Sequence, residues 1–154
     1  EALGILCVDI INLHEKFMPT SVAKGVDKWL DIQTYSSIQE YIKYIKKQNY
    51  IIAAAYPDPN LLPLEKIPVN QKIAVLFGNE HAGIDHIWNP HIDIKFTIPM
   101  CGLVESLNIS VSCAITLREL STKAKDLLAK EEYYINKNEY LELLDNWILK
   151  IIYS

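Results

Sequence analysis

Two short stretches of this chain combine glycine with polar residues in a pattern that could hold a small ligand. The first is Phe77-Gly78-Asn79-Glu80-His81-Ala82-Gly83-Ile84, directly after a run of apolar residues. The second runs from Ile98-Pro99-Met100-Cys101-Gly102 into Ser106-Leu107-Asn108-Ile109-Ser110-Val111. Glycine lets a backbone come close to a ligand. In a parallel sheet, ligands sit outside the C-terminal ends of the strands. Together these point to a cofactor pocket shared by two strand ends. Neither loop is a dinucleotide fingerprint or a P-loop. Two ordinary βα turns would use the same glycines, so composition and spacing alone leave both readings open.

Such loops need strands before them and a helix after. Residues 72–77 form the clearest strand, ended by Gly78, and residues 92–98 form another, ended by Pro99. Tyr50-Ile51-Ile52-Ala53-Ala54-Ala55 reads as a buried strand closed by Pro57-Asp58-Pro59-Asn60. Shorter strands are expected at 4–10 and 29–32, with loop and a short helix at 12–25. Ser36 or Ser37 can cap a helix through Lys47, since Ile38, Tyr41, Ile42 and Ile45 follow helical spacing. The spacing predicts a short helix at 84–89, a long one over 107–130 and an amphipathic one over 139–152. The last places Tyr140, Leu143, Leu144, Trp147, Ile148 and Ile151 on one face, suited to docking on the body or on a second subunit. Strands alternating with helices indicate an α/β fold with a parallel sheet.

The 154 residues fit one domain with a single core. No apolar run approaches the ~20 residues of a membrane span, and no signal-peptide pattern is present. Cys7, Cys101 and Cys113 sit in apolar stretches without metal-like spacing, which predicts reduced core cysteines and a cytoplasmic protein. The net charge of −4 speaks against nucleic-acid binding, because domains that grip phosphate are usually basic. Arg118 is the only arginine. His81, His86 and His91 recur every five residues, whereas a shared helical face needs three or four, so no metal site is expected. Lys43, Lys46 and Lys47 read as a solvated helix face, with phosphate contact as the alternative. Trp29 reads as core in preference to a base-stacking platform.

The two loops also resemble a known family. FGNEHAGI is similar to the second, and IPMCGLVESLNISVSCAITLRE to the third, sequence motif of the SpoU/TrmH family of SPOUT RNA 2′-O-ribose methyltransferases. Thr20-Ser21 followed by Gly25-Val26-Asp27-Lys28-Trp29-Leu30 resembles the tRNA guanosine-18 (TrmH) branch, and the likeness runs from about Glu1 to Leu120. It implies a Rossmann-like parallel sheet with a C-terminal deep trefoil knot, an exception to the rule of unknotted chains. The corresponding division is a methyltransferase domain at 1–125 and a C-terminal helical extension at 126–154. The resemblance implies S-adenosylmethionine as cofactor, with contacts at Ala54, Ala55, Gly78, Asn79, Ile98, Met100, Gly102 and Leu107. Adenine needs an apolar slot with backbone hydrogen-bond partners, which these residues offer.

A ribose 2′-OH is a poor nucleophile and needs a base or a strong electrostatic partner. The family assigns this to an arginine of its first motif. Glu80, Ser106 and Asn108 match the supporting positions, where Glu80 could orient a guanidinium bidentately. Glu1-Ala2-Leu3-Gly4 matches only the last four positions of that first motif, so the arginine is expected before Glu1 and the segment starting there is expected to be inactive alone. Arg118, within the long helix, is no substitute. The implied partners are tRNA and a second copy of the chain, joined as a homodimer through the knot, with no membrane and no metal. Two alternatives stand beside methylation of a tRNA D-loop guanosine. One is a 23S rRNA ribose methyltransferase of the same family, and the other a noncatalytic RNA-binding or dimerisation module that kept the knot.

Overall fold

The computed structural model describes residues 2–11, 27–79 and 82–152. In chain order the strands and helices are β1 (Cys7–Ile11), β2 (Asp31–Tyr35), α1 (Ile38–Lys47), β3 (Ile51–Ala55), β4 (Leu62–Pro63), β5 (Ile73–Leu76), β6 (Ile94–Thr97), α2 (Ile109–Leu127), α3 (Lys130–Tyr133) and α4 (Lys137–Ile152). They divide into two compact units, Glu1–Ser37 with Leu128–Ser154, and Ile38–Leu127.

The first unit holds a parallel pair. Cys7 lies opposite Asp31 and Ile11 opposite Tyr35, and the Asp31 N–H donates to the Leu6 carbonyl at 2.8 Å. Trp29 ends a 3₁₀ turn over Asp27–Trp29, so the strand expected at 29–32 starts later, at Asp31. The Trp29 ring meets Trp147 of α4 edge-on at 5.5 Å, and Lys150 donates to the Leu30 carbonyl at 3.1 Å. Asn136 and Glu139 start α4 by reciprocal capping. The Asn136 side chain accepts from the Asn138 and Glu139 amides, and the Glu139 carboxylate accepts from the Asn136 N–H. The expected segment 12–25 lies outside the described residues.

The second unit is a four-stranded, all-parallel sheet in the order β4-β6-β3-β5. β3 is central, with Ile51 opposite Ile73 on one side and Ala53 opposite Ile94 on the other. Both faces of such a strand are covered, which favours a continuous apolar run over alternation. Ile52, Ala53 and Ala54 are accordingly 1%, 0% and 0% exposed. One core cluster joins Ala53 and Phe96 to Leu64, Ile67, Val69 and Leu120 of α2. Outside that cluster, Ile38, Tyr41, Ile42 and Ile45 of α1 are all buried, and Tyr41 meets Trp88 edge-on at 5.9 Å. α1 ends in a Schellman motif. Asn49 takes φ +61°, and the Tyr50 and Asn49 amides donate back to Ile45 and Lys46.

Three expectations change. Cys7 and Cys101 are exposed and Cys113 only half-buried, so these free thiols are not core residues. An apolar neighbourhood in sequence does not bury a residue on a two-stranded pair or in an exposed loop. The helix expected at 84–89 is a 3₁₀ segment, His86–His91, capped by Asp85 and containing Pro90. The long helix starts at Ile109, where Asn108 caps it, and stops at Leu127. Among the described residues, no helix is long and apolar enough to cross a membrane.

Candidate cofactor-binding site

The C-terminal ends of three neighbouring strands meet at one cavity of about 270 Å³. From the end of β3 come Ala55, Tyr56 and Pro57. The Tyr56 N–H donates to the Phe96 carbonyl at 2.9 Å, so pairing continues just beyond the strand. Burial raises the Tyr56 phenol above its ordinary pKa.

From β5 the chain passes through Phe77 and Gly78 into a closed loop. The Asn79 and Gly83 amides each donate to the other's carbonyl at 3.1 Å, and the Asn79 side-chain oxygen accepts from the Ala82 N–H at 2.6 Å. Gly83 adopts φ +67°, a conformation that glycine takes without penalty. Gly78 is required for a different reason. A Cβ there would lie 2.2 Å from the Gly83 carbonyl carbon and 2.5 Å from the Ile84 nitrogen. The glycines of this loop therefore close it sterically, and Phe77, Gly78, Asn79 and Ile84 then line the cavity.

From β6 the wall continues through Thr97, Ile98 and Met100. The chain then returns as Ser106, Leu107 and Ile109 at the start of α2. Asn108 sets that start. Its side-chain oxygen accepts from the Ser110 N–H at 2.8 Å, and its carbonyl accepts from the Ser112 N–H at 2.9 Å.

Of the residues singled out from sequence, Ala55, Gly78, Asn79, Ile98, Met100, Ser106 and Leu107 come together around this cavity. Ala54 lies within the sheet at 0% exposure, one residue short of the wall. Gly102 is exposed and is not part of the wall; a Cβ there would meet nothing within 4 Å. Asn108 is not part of the wall either and serves as a helix cap. Glu80 lies outside the described residues, as do His81, Thr20, Ser21, Gly25 and Val26. The sequence reading missed Tyr56, Pro57, Thr97 and Ser112 as wall residues. Tyr56 and Thr97 were signalled only by their places at strand ends.

Among the described residues, the wall carries no Lys, Arg, Asp, Glu or His. It offers apolar side chains, loop backbone and a few hydroxyls, which suits a flat nucleobase held by backbone partners. No group of three or more His, Cys, Asp or Glu among the described residues could hold a metal ion.

Comparison with known proteins places this arrangement. The sequence profile of the SpoU rRNA Methylase family matches residues 1–118. A tRNA (guanosine(18)-2′-O)-methyltransferase of Borreliella burgdorferi is 29% identical over 140 residues, covering 90% of this chain and 63% of that protein. The enzyme of the same name from Escherichia coli K12 is 31% identical over 99 residues, covering 64% of this chain and 43% of that protein. The chain thus spans less than two thirds of either relative. The crystal structure of an Aquifex aeolicus TrmH/SpoU tRNA modifying enzyme superposes with a TM-score of 0.81 at 21% identity, over 98% of this chain and 78% of that one. The SpoU methyltransferase AviRb from Streptomyces viridochromogenes, solved with its cofactor AdoMet, gives 0.71 at 22% identity, over 81% of this chain and 52% of that one. These two likenesses concern the fold. The family profile runs through both glycine loops and into α2, and the chain belongs to the SpoU rRNA Methylase family.

Proposed function

We propose that this protein is an S-adenosylmethionine-dependent RNA 2′-O-ribose methyltransferase acting on a tRNA guanosine in the D-loop. The observation that carries the reading is the cavity at the ends of β3, β5 and β6, whose wall among the described residues is uncharged and lies wholly within the family match. The names of the B. burgdorferi and E. coli relatives favour tRNA. A 23S rRNA (guanosine-2′-O-)-methyltransferase of Coxiella burnetii, 29% identical over 99 residues, keeps rRNA as the second reading.

Bound in this cavity, S-adenosylmethionine supplies an electrophilic methyl group. Gly78, Ile98, Met100 and Leu107 would hold its adenosine through backbone and apolar contact. Among the described residues no cationic side chain of the wall opposes a sulfonium. Ser106 would face the acceptor, with Glu80 and Asn108 in supporting places. The hydroxyl proton must leave as the methyl arrives, and no arginine lines the described wall, since Arg118 is exposed on α2. The family resemblance gives that role to an arginine of its first motif, of which Glu1-Ala2-Leu3-Gly4 matches the last four positions. The same reading assigns a trefoil knot to the stretch through Ile98 and α2, a methyltransferase domain to 1–125, a helical extension to 126–154, a homodimer joined through the knot, and a cytoplasmic location.

The test is transfer of labelled methyl from S-adenosylmethionine to an unmodified tRNA transcript by the full-length protein. Acceptance by tRNA supports the reading. Acceptance by rRNA alone favours the second reading. Cofactor binding with no RNA accepted favours a noncatalytic module.

A further inference from the structure

Beside the cavity stands a lysine that the site as described does not use. Tyr56 lines the cavity, and the Lys95 ammonium lies 5.4 Å from the centre of its ring. The ammonium also donates to the Asn89 side-chain oxygen at 3.2 Å. Lys95 is exposed, and no carboxylate pairs with it among the described residues. An ammonium has three donors, and one is committed to Asn89 while the side chain stays exposed. The ring and the amide fix the position of a long side chain that would otherwise sample many rotamers.

Three other lysines of this unit are engaged elsewhere. Lys46 is paired with Asp93. Lys123 donates to the Glu65 and Ile67 carbonyls at 2.8 and 2.6 Å. Lys72 sits over Tyr50, and both precede their strands, at the sheet end opposite the cavity.

We infer that Lys95, held over Tyr56 and tethered by Asn89, is a substrate-positioning residue that grips an RNA backbone phosphate next to the ribose presented to the cavity. This rests on the RNA-methylation reading. A phosphate is favoured over the carboxylate of the methyl donor because Lys95 is exposed and is not part of the cavity wall.

The experiment compares full-length wild type with Lys95→Ala and Lys95→Arg. RNA affinity is measured across a salt series, and donor affinity by calorimetry. For Lys95→Ala we expect RNA binding about five- to tenfold weaker, with the log–log salt slope reduced by about 1. We expect KM for RNA to rise while kcat at saturating RNA and donor affinity stay near wild type. Lys95→Arg should restore the slope, and Tyr56→Leu should show an intermediate loss. An unchanged slope in Lys95→Ala overturns the inference. So does weakened donor binding with RNA affinity intact, which would assign Lys95 to the donor's carboxylate. Failure of the methylation reading is distinguishable: wild type would bind RNA with the Lys95-dependent slope yet transfer no methyl. A wild type that binds no RNA overturns both.

Discussion

At Gly78 the backbone of the same loop occupies the space of a side chain, 2.2 Å from where a Cβ would stand. Gly78→Ala must therefore push Gly83 and Ile84 away, at about 1–3 kcal/mol. Because both sides of the displaced contact line the cavity, S-adenosylmethionine affinity should fall about tenfold or more, or ~1.4 kcal/mol. Calorimetric titration of the wild type and variant checks this; equal affinities would separate the loop from the cofactor. Asn108 has two readings that one pair of variants resolves. Asn108→Ala removes the cap on Ser110 and should cost about 1 kcal/mol in unfolding free energy. Asn108→Ser keeps a capping oxygen and should preserve stability. If Asn108 also supports the reaction, as the family resemblance implies, Asn108→Ser loses methyl transfer while its melting temperature holds. Full activity in that variant would leave Asn108 a cap alone.

Among the elements, β6 is fastened to β3 and α1 through Asp93. Its carboxylate accepts from the Ile52 N–H at 2.7 Å and from Lys46, while its own N–H donates to the Ile52 carbonyl at 2.9 Å. Burial pushes the Asp93 carboxyl up, but the hydrogen bonds from Lys46 and Ile52, with the Lys46 charge, outweigh it and hold the pKa below its usual value. A carboxylate with a lowered folded-state pKa stabilises above its unfolded value, about 3.9, and that contribution is lost as pH falls through the folded value. Asp93→Asn should thus cost about 1 kcal/mol at pH 7, with a smaller difference below about pH 4. Urea unfolding at both pH values measures it, and a pH-independent difference would exclude the linkage. Elements with strong periodicity were legible in the sequence. The four apolar positions of α1 are all buried, and the runs around β3, β5 and β6 fall within a residue or two of their strands. β4 was not legible, since two residues including Pro63 carry no period. Neither was the start of β2, where Trp29 looks strand-like but turns.

For the whole molecule, the net charge of −4 spoke against an RNA partner, but it is unevenly spread. The unit Ile38–Leu127 holds nine Lys and Arg against nine Asp and Glu, so the acidic surplus belongs to the other unit, six against ten. The sequence showed the net charge and not its division, because the division follows chain contacts. The pocket was legible where backbone lines it and illegible where packing decides, as at Tyr56 and Gly102. Val111 and Ile115, one helical turn apart on α2, are 45% and 40% exposed, an apolar stripe suited to a second copy. The full-length protein should sediment as a dimer, and Ile115→Lys should weaken self-association about tenfold or more; an unshifted dimer would move the interface elsewhere. The most direct test of the central claim is the position of the transferred methyl. Full-length protein, unmodified tRNA and methyl-deuterated S-adenosylmethionine are incubated, and the digested nucleosides are resolved by mass spectrometry. The account predicts label on the ribose O2′ of guanosine. Label on a base would contradict it.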